Sequence, residues 1–336
     1  MIRTLFLLGP SDIEGNNPAT RTPAQGGGWI VTTDLSGVLP ILPYVKSDRT
    51  LSAKSNTVLV GVHEIQLPEN ARVNLFNLVG DADSSSNMLH EIQHIVNKIQ
   101  PLRCFNPPSH VFRTSRGRLP KTLANIPGCI VPQVDAAHPK TFSELVAACE
   151  EFDRWPMIVR ACGYHGGKHM FLIKEIAELE AIKGLSWPYG GIFLLEFFDY
   201  LNEDGLYEKT RVIMVDGIPY PRHRISSNQW AIHSGSRVDL MNRDIGLCHS
   251  EERYLSQLRD SGLAEHAPIF QEIHRRIELD VFGIDYALVD GQVVIFEANA
   301  CMSFLGDRYG DDDQYQYLDS YVKALRRAIK KMLVKS

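Results

Sequence analysis

The sequence lacks the cysteine patterns of secreted and zinc-binding proteins. It has 336 residues and six cysteines, and no two of these cysteines form a CxxC pair. Disulfide-rich secreted domains and structural zinc sites both depend on closely spaced ligands or partners. We therefore expect reduced thiols, a cytoplasmic location and no structural zinc. The cysteines are Cys104, Cys129, Cys149, Cys162, Cys248 and Cys301.

Long apolar runs and an excess of basic charge are also missing. The first apolar stretch, in "MIRTLFLLGPSD", is too short for a signal peptide or a membrane span and fits a first buried strand. The formal net charge is −5, which argues against a general nucleic-acid binder but leaves room for a local basic patch. We therefore expect neither a nucleic acid nor a membrane as partner.

Repeats, low-complexity tracts and an obvious Ser/His/Asp or Cys/His set for nucleophilic catalysis are absent as well. The content of 44% apolar and 22% charged residues is typical of a globular protein, and the length allows two or three domains. The chemistry of the chain must therefore lie in other patterns.

The first segment, residues 1–108, has the pattern of an α/β unit. The short apolar runs "TLFLLG", "TVLVGV" and "VNLFNLVGDAD" end in Gly or acidic turns, as parallel strands often do. A helix follows the third run, and we expect the serines 84–86 to cap it. The loop "GNNPATRTPAQGGGW" lies between the first two runs and is rich in turn residues.

Two further segments follow. Residues 109–185 contain a predicted helix that has Thr141 as its N-cap and Glu144 in a capping box. The strand–loop–strand pattern "PMIVRACGYHGGKHMFLIK" follows this helix, and a second helix is predicted in "KEIAELEAIKGL". Residues 186–336 contain strands and two long amphipathic helices, "LAEHAPIFQEIHRRIELDV" and "YLDSYVKALRRAIKKMLVK". The chain is therefore predicted to combine an α/β part with α+β parts.

The stretch "VFGIDYALVDGQVVIFEANA", residues 281–300, predicts a β-hairpin with "DG" as its turn. Asp285, Glu297 and Asn299 interrupt its apolar runs. Ionised carboxylates are costly to bury unless something pairs with them. These three side chains therefore face either solvent or a buried partner.

The hairpin register decides between these possibilities. A two-residue "DG" loop pairs Asp285 with Phe296 and turns Glu297 to the other face of the sheet. A three-residue loop that includes Gln292 pairs Asp285 with Glu297 and leaves the other face wholly apolar. We predict the second register, because it gives one clean face for packing against a helix.

Facing carboxylates repel each other unless a cation lies between them or one is protonated. Oxygen ligands from Asp285 and Glu297, with the Asn299 amide nearby, suit Mg²⁺ or Mn²⁺. Such a site commonly completes its shell with nucleotide phosphates. An edge hairpin with solvated acids is an equally good interpretation of these residues alone.

The strand–loop–strand pattern supplies basic partners for these acids. Arg160 ends its first strand, and Gly166 and Gly167 permit a tight hairpin whose amides could approach phosphate oxygens. Lys168 adds a donor. The alternatives are a plain flexible hairpin and an arginine that reaches the surface.

Other charged residues lie on or beside later strands. Glu196 follows the apolar run of "GIFLLEFFDY", where Phe197 and Phe198 could enclose an adenine ring, although a core strand with an edge acid has the same pattern. Arg211 and Arg224 belong to a cluster of basic residues that fits recognition of a polyanion or a carboxylate, together with Arg222, His223 and His233. Surface salt bridges are the alternative for at least one of them.

In this order, these features resemble the ATP-grasp superfamily, and in particular glutathione synthetase and the ligases that add glutamate to a ribosomal protein tail. "GIDYALVDGQVVIFEANA" resembles their metal-binding hairpin with its D-x₁₁-E-x-N spacing. "PMIVRACGYHGGKHMFLIK" resembles their phosphate-covering lid, and "VFRTSRGRL" the start of their central domain. The resemblance covers residues 73–336 and leaves the first 70 residues with little match.

The resemblance implies an ATP-grasp fold with three parts. These are an N-terminal Rossmann-like α/β domain (1–108), a small lid subdomain (109–185) and a C-terminal α+β subdomain with the metal-binding hairpin (186–336). ATP would lie between the last two parts. A homodimer is also compatible with the resemblance.

The resemblance also implies roles for single residues. Asp285, Glu297 and Asn299 match metal ligands for Mg²⁺ or Mn²⁺, and Arg211 matches a basic residue near the transferred phosphate. Arg224 is expected to help it steady the developing oxyanion. The nucleotide set implied for ATP is Arg116, Arg160, Gly166, Gly167, Lys168, Glu196, Phe197 and Phe198. Arg116 and Arg160 stand where lysine is usual, and the stretch after Arg224 departs from the ligase pattern.

The function expected from the resemblance is an ADP-forming ligase that joins a carboxylate to an amine through an acyl phosphate. Its substrates would be small molecules, such as an amino acid or a short peptide. An ATP-dependent kinase of the same fold and a non-catalytic Mg-ATP-binding module are the alternatives.

Overall fold

The structure is a computed structural model. It describes residues 3–12, 20–23, 29–32, 35–63, 65, 67, 72–164, 167–185, 187, 191–233, 235–261, 263–306 and 313–335. Gly166 lies outside the described residues. Within them, no helix is long and apolar enough to cross a membrane.

A parallel four-stranded sheet forms near the N-terminus. Its strands, in spatial order, are β4 (Ser55–Leu59), β1 (Arg3–Leu8), β5 (Val73–Asn77) and β6 (Cys104–Phe105). The three predicted apolar runs provide β1, β4 and β5. The nearby helices are α1 (Leu42–Ser47), α2 (Arg49–Ser52) and α3 (Ser86–Ile99). A separate two-stranded hairpin pairs β2 (Thr20–Pro23) with β3 (Trp29–Thr32).

The cap predicted for α3 is wrong. Ser85 stands at the N-cap without a side-chain hydrogen bond to the helix, and Ser84 donates to Asp81 instead. Asp12 caps the first turn instead, because its Oδ2 accepts a hydrogen bond from the backbone amide of Asn87 at 2.6 Å. A carboxylate from a distant loop satisfies this amide, which nearby sequence cannot reveal.

A second, antiparallel sheet has the order β10-β9-β11-β8. The strands are β8 (Val134–Ala137), β9 (Met157–Ala161), β10 (Met170–Ile173) and β11 (Ile192–Glu196). Helix α6 (Phe142–Phe152) covers one face with its buried apolar residues. Short helices α4 (Pro108–Val111) and α5 (Leu119–Thr122) precede this sheet in sequence.

Two details of this region differ from expectation. Thr141 caps α6 by accepting from the Glu144 amide, but Glu144 itself accepts from the amide of Lys140 rather than from that of Thr141. The segment predicted as a helix before Gly184 forms a 3₁₀ helix, Ile176–Ile182.

The third sheet is five-stranded, in the order β13-β12-β14-β15-β7. Its strands are β7 (Cys129–Ile130), β12 (Tyr207–Val215), β13 (Ile218–Ser227), β14 (Val281–Val289) and β15 (Gln292–Asn299). The helices of this part are α7 (Ser236–Asp239), α8 (Ile245–Asp260), α9 (Ala267–Ile277) and α10 (Leu318–Val334). The sequence predicted α9 and α10 but not α8.

The first and third sheets share hydrophobic cores. Leu75 of β5 belongs to one core with Ile273 of α9 and Ile284 of β14. Phe76, the next residue, belongs to a second core with Ile213 of β12 and Ile329 of α10. Adjacent residues of β5 thus pack into two different cores. Both cores join the N-terminal sheet to the sheet that carries the hairpin. The predicted division into three parts stays a prediction.

The hairpin pairs Asp285 with Glu297, as predicted, but not through the predicted loop. Val289 pairs with Gln292, so the turn is the two-residue Asp290-Gly291 loop, with φ values of 50° and 75°. Such a left-handed pair suits a tight hairpin turn. The register then shifts between Asp285 and Tyr286, and this bulge restores the pairing of the two acids.

The bulge also changes the predicted faces of β15. Ile295, predicted on the face of the acids, lies opposite Tyr286 and joins the apolar core. Phe296, predicted on the apolar face, packs beside Tyr200 and Ala287 instead. The pairing of the acids was correctly predicted, whereas the loop and these two side chains were not.

Gly80 marks a close contact between the N-terminal part and the end of the hairpin. A Cβ atom at Gly80 would lie 2.5 Å from the carbonyl carbon of Ala300 and 2.7 Å from the amide nitrogen of Cys301. Both atoms belong to backbone, which cannot rotate away.

We predict that Gly80→Ala lowers the free energy of unfolding by about 1–3 kcal/mol, because an overpacked backbone contact must open. Urea unfolding followed by circular dichroism measures this change. The control is Gly117→Ala, since a Cβ atom at Gly117 meets nothing within 4 Å. Equal stability of the two variants would contradict the close contact.

Candidate active site

A cavity of about 510 Å³ lies between the second and third sheets. Strands β9, β10 and β11 contribute one side of its lining, and β12, β13, β14 and β15 contribute the other. Acidic, basic and aromatic side chains all reach it. Its charged and aromatic lining residues include Arg116, Arg160, Glu196, Phe197, Phe198, Lys209, Arg211, Arg222, His223, Trp230, Asp285 and Glu297.

Asp285 is a buried carboxylate held by two cations. Arg211 donates to both of its oxygens, from Nε at 2.6 Å and from Nη2 at 2.8 Å. The Lys209 ammonium lies 3.3 Å from Oδ2. Burial acts to raise the pKa of Asp285, but Arg211 and Lys209 outweigh it and lower this pKa from 3.8 to about 2. Asp285 is therefore ionised at neutral pH.

Glu297 faces Asp285 across the hairpin and has a different partner. Its Oε1 accepts from Arg116 Nη2 at 3.0 Å and from Asn299 Nδ2 at 3.2 Å. Burial acts to raise the pKa of Glu297, whereas Arg116 and Arg160 lower it, and the net shift is downward. Both facing acids are thus carboxylates rather than neutral acids.

The two carboxylates fit a divalent ion, whereas Asn299 does not present its oxygen to them. They are hard oxygen donors on one face of the hairpin, as Mg²⁺ and Mn²⁺ prefer. Asn299 Oδ1 accepts from the Cys301 amide at 2.5 Å, and its NH₂ group points to Glu297. Among the described residues, no three His, Cys, Asp or Glu side chains cluster as a metal site.

Arg116 links the hairpin to the N-terminal part of the chain. Its Nη1 donates to Asp83 Oδ2 at 2.9 Å, and its Nη2 donates to Glu297. Burial acts to lower the pKa of Arg116, but Glu297 and Asp83 raise it. The guanidinium was predicted to contact phosphates, yet two carboxylates already hold it in this structure.

Arg160 differs from Arg116 in its contacts. Its guanidinium donates to the Tyr164 carbonyl at 2.7 Å and lies 3.7 Å from the Met170 sulfur. Among the described residues, no carboxylate lies within 4.0 Å of it. Burial, followed by repulsion from Arg116, lowers its pKa from 12.5 to about 10. An anion in the cavity would reverse this destabilisation of the charged form.

The predicted glycine loop is placed only in part. Gly167 lines the cavity with a φ of 77°, and a Cβ atom there would lie 3.4 Å from the His233 ring. Lys168 has an exposed side chain that does not line the cavity. The structure therefore does not bring Lys168 to the site.

The predicted adenine segment lies at the cavity, beside an aromatic residue that the sequence reasoning missed. Phe197 and Phe198 line it, and Trp230 meets Phe197 edge-on with 5.8 Å between ring centroids. Glu196 also lines the cavity, but its oxygens accept from the Gln133 amide at 3.0 Å and from Arg154 at 3.4 Å.

Arg224, predicted to act with Arg211, does not line the cavity. It pairs with Thr210, so it lies on the sheet face opposite to Arg211. There it donates to Glu208 and Ser250 and lies over the Tyr254 ring. The prediction is corrected for a geometric reason, because neighbouring strand positions alternate between faces.

Arg222 and His223 reach the cavity instead. His223 pairs with Arg211, and a bulge follows that leaves Arg222 as the extra residue. Arg222 donates from Nε to the Phe304 carbonyl at 2.8 Å. Burial, with help from Arg211, lowers the pKa of His223 well below 6.5, so this ring is neutral at neutral pH.

Lys209 is a cavity cation that the sequence reasoning missed. It stands two positions before Arg211 on β12, which places both side chains on one face. The alternation of strand residues could therefore have identified Lys209 from the sequence. Trp230 carried no comparable signal, because it lies outside the strands, whereas Arg222 already belonged to the predicted cluster of cations.

The chain was compared with known proteins. No family model matches it, and no curated protein matches it in sequence. Among the many solved structures that match, two examples match over nearly their whole length. D-alanyl-alanine synthetase A from Vibrio cholerae has a TM-score of 0.53 at 11% identity, covering 99% of this chain and 98% of its own. Macrocyclase MdnC from Microcystis aeruginosa, solved with its precursor peptide MdnA, has a TM-score of 0.50 at 10% identity, covering 99% and 100%.

We predict that Asp285→Asn lowers the free energy of unfolding by about 3 kcal/mol at neutral pH, because it removes the buried carboxylate that pairs with the partly buried Arg211 and Lys209. The folded-state pKa of about 2 lies below the ordinary 3.8. The stabilisation is therefore complete above about pH 4 and is lost as the pH falls through about 2.

Urea unfolding of both proteins at about pH 7, pH 5 and pH 3 checks this dependence. The stability difference should stay constant between the first two values and narrow at the third. The matched control is Asp204→Asn, because Asp204 is exposed. Its free energy of unfolding should equal that of wild type at all three pH values. A difference that grows on acidification would contradict the ion pairing.

Proposed function

This chain has the ATP-grasp fold, and we propose that it is an ATP-dependent, ADP-forming ligase that joins a carboxylate to an amine. One observation carries the proposal. In this fold, two facing carboxylates and several cations line one cavity, together with aromatic rings at Phe197 and Trp230. This combination matches the phosphates, metal and base of Mg·ATP.

The charge of the cavity supports a polyphosphate ligand. Arg160, Lys209, Arg211 and Arg222 line it. The lining is therefore rich in cationic donors that can bind an anion. Guanidinium groups bind phosphate oxygens by paired hydrogen bonds, which suits Arg160 with its otherwise unfavourable burial.

Asp285 and Glu297 would hold Mg²⁺ or Mn²⁺, which when bound would offset the negative charge of the β- and γ-phosphates. The adenine would lie in the apolar part of the cavity, against Phe197, Phe198 and Trp230. Edge-on and stacked contacts with such rings favour a flat base.

The proposed reaction needs no side-chain nucleophile. An oxygen of the substrate carboxylate attacks the γ-phosphorus, and ADP leaves with the electron pair of the broken P–O bond. The amine then attacks the acyl carbon, phosphate leaves, and the nitrogen loses its proton. Arg211 and Arg222 would steady the negative charge on these oxygens.

Water must be kept from the acyl phosphate, because hydrolysis would waste it. The strand–loop–strand segment of β9 and β10 borders the cavity through Arg160, Gly167 and Met170. We infer that this segment covers the phosphates during turnover. The substrates would be an amino acid or a short peptide, and the six free cysteines fit a cytoplasmic enzyme.

We predict ADP release when the protein is incubated with Mg·ATP and pools of amino acids and dipeptides. Mass spectrometry should find an amide product equal in amount to the ADP. Arg160→Met and Asp285→Asn should each slow turnover by about a hundredfold or more, because each removes a charge that the transition state needs.

The control variant is Lys323→Met, at an exposed position of α10, which should keep full activity. A stable phosphoester in place of an amide would indicate a kinase. Nucleotide binding without ADP release from any pool would indicate a binding module, and absence of nucleotide binding would refute the proposed site.

A further inference from the structure

Asp83 lies in the N-terminal part of the chain, and within the described residues its side chain hydrogen-bonds only to Arg116. It ends the run "VNLFNLVGDAD", between β5 and α3. Its Oδ2 accepts from Arg116 Nη1 at 2.9 Å and from the Arg116 backbone amide at 3.2 Å, and its Oδ1 lies 3.3 Å from the same amide. The carboxylate therefore holds both the backbone and the side chain of Arg116.

The turn that contains Asp83 is fixed by its own hydrogen bonds. Asp81 Oδ1 accepts from the Asp83 backbone amide at 3.0 Å, and Asp81 Oδ2 accepts from the Ser84 hydroxyl at 2.6 Å. Asp81 and Ser84 are both buried. Hydrogen bonds from a short side chain to nearby backbone stabilise a tight turn, so this turn sets the position of Asp83.

Arg116 connects this turn to the other two large sheets. Its Nη2 donates at 3.0 Å to Glu297 Oε1, on β15 of the third sheet. Its guanidinium carbon lies 6.0 Å from the ring centroid of Phe193, on β11 of the second sheet. This distance is at the outer limit of a cation–π contact. One guanidinium thus meets side chains from the N-terminal part and from both sheets that border the cavity.

The hydrogen bonds of Glu297 engage one of its oxygens and leave the other. Oε1 accepts from Arg116 at 3.0 Å and from Asn299 at 3.2 Å. Within the part of the chain that the structure describes, Oε2 accepts no hydrogen bond. The side chain is 31% exposed and lines the cavity. Two donors on Oε1 restrict the rotation of this carboxylate, and Oε2 is left for a cation.

The ion pair of Asp83 with Arg116 is a poor source of stability. The Asp83 side chain is only 14% exposed, and burial raises its pKa above the ordinary value although Arg116 lies beside it. Desolvation offsets much of the attraction in such a buried pair. The effect of Arg116 on Glu297 therefore explains the pair better than fold stability does.

We propose that Asp83 is a positioning residue for Glu297, the carboxylate proposed to bind the metal, and that it acts through Arg116. The proposal deepens the proposed function and rests on it for the identity of the ligand. Because Asp83 holds Arg116 in place, Glu297 keeps Oε2 available to a divalent metal that binds with the nucleotide. Within the described residues, the cavity lining begins at Thr114, so the N-terminal part acts on the metal site from outside the cavity.

Calorimetry with the non-hydrolysable ATP analogue AMP-PNP tests this role on the full-length protein. The affinity is measured in EDTA and again in excess Mn²⁺, and the ratio of the two affinities gives the contribution of the metal. Asp83→Asn should lower this ratio by about tenfold, because a metal ligand loses the group that orients it. The affinity in EDTA should stay unchanged. Asp204→Asn, at an exposed position, is the control for loss of one negative charge.

An Arg116→Met background shows whether Asp83 acts through Arg116. In that background, Asp83→Asn should have no further effect on the ratio, because the two residues act as one unit. An equal loss in both backgrounds would overturn the inference. Equal losses of affinity with and without Mn²⁺ would also overturn it, since a purely structural role of Asp83 gives that result.

A wild-type crystal with Mn²⁺ and AMP-PNP gives an answer that does not depend on the folding of a variant. Arg116 should remain between Asp83 and Glu297 while Oε2 of Glu297 binds the manganese. An Arg116 side chain turned away from Glu297 would overturn the inference.

Failure of this inference can be distinguished from failure of the proposed function. If no protein binds AMP-PNP, with or without Mn²⁺, the proposed function is refuted and this inference with it. If AMP-PNP binds and Asp83→Asn leaves the ratio unchanged, only the inference is refuted.

Discussion

The pairing of Asp285 with Arg211 and Lys209 is the interaction on which the site depends. An ionised carboxylate in a nearly dry position is strongly unfavourable without a partner. The cations lower the pKa of Asp285 to about 2 and thereby keep a negative charge inside the cavity. Glu297 directly opposite has its own cation in Arg116, so both charges persist side by side.

These pairs also connect the site to the fold. Arg116 joins Glu297 to Asp83, which lies between β5 and α3. Gly80, three residues earlier, lets the same segment contact the backbone at Ala300, just after β15. The N-terminal sheet therefore holds the hairpin by charge on one side and by close backbone packing on the other.

Periodicity predicted those parts of the fold that follow strict alternation. Parallel strands of the N-terminal sheet, the hairpin at 281–300 and helices α9 and α10 were visible in the sequence because their apolar residues recur at strand or helix spacing. The ATP-grasp fold came from resemblance and is confirmed by the two solved structures. Helix α8 was missed.

Bulges explain the errors at the site. One bulge in the hairpin keeps the two acids opposed despite a two-residue turn, and a second, beside Arg211, brings Arg222 to the cavity. Alternation then places Arg224 on the far face. A bulge shifts every later side chain by one position, and no local sequence signal announced either of them. Tertiary contacts, such as the ion pair of Asp83 with Arg116, could not be predicted from the sequence either.

The central claim is that the two hairpin acids share one divalent ion with a nucleotide in this cavity. A crystal grown with Mn²⁺ and AMP-PNP tests it most directly, through the anomalous scattering of manganese. The account predicts an anomalous peak at about 2.1 Å from oxygens of both Asp285 and Glu297, beside the phosphates. A manganese peak away from these two carboxylates, with the nucleotide bound, would contradict it.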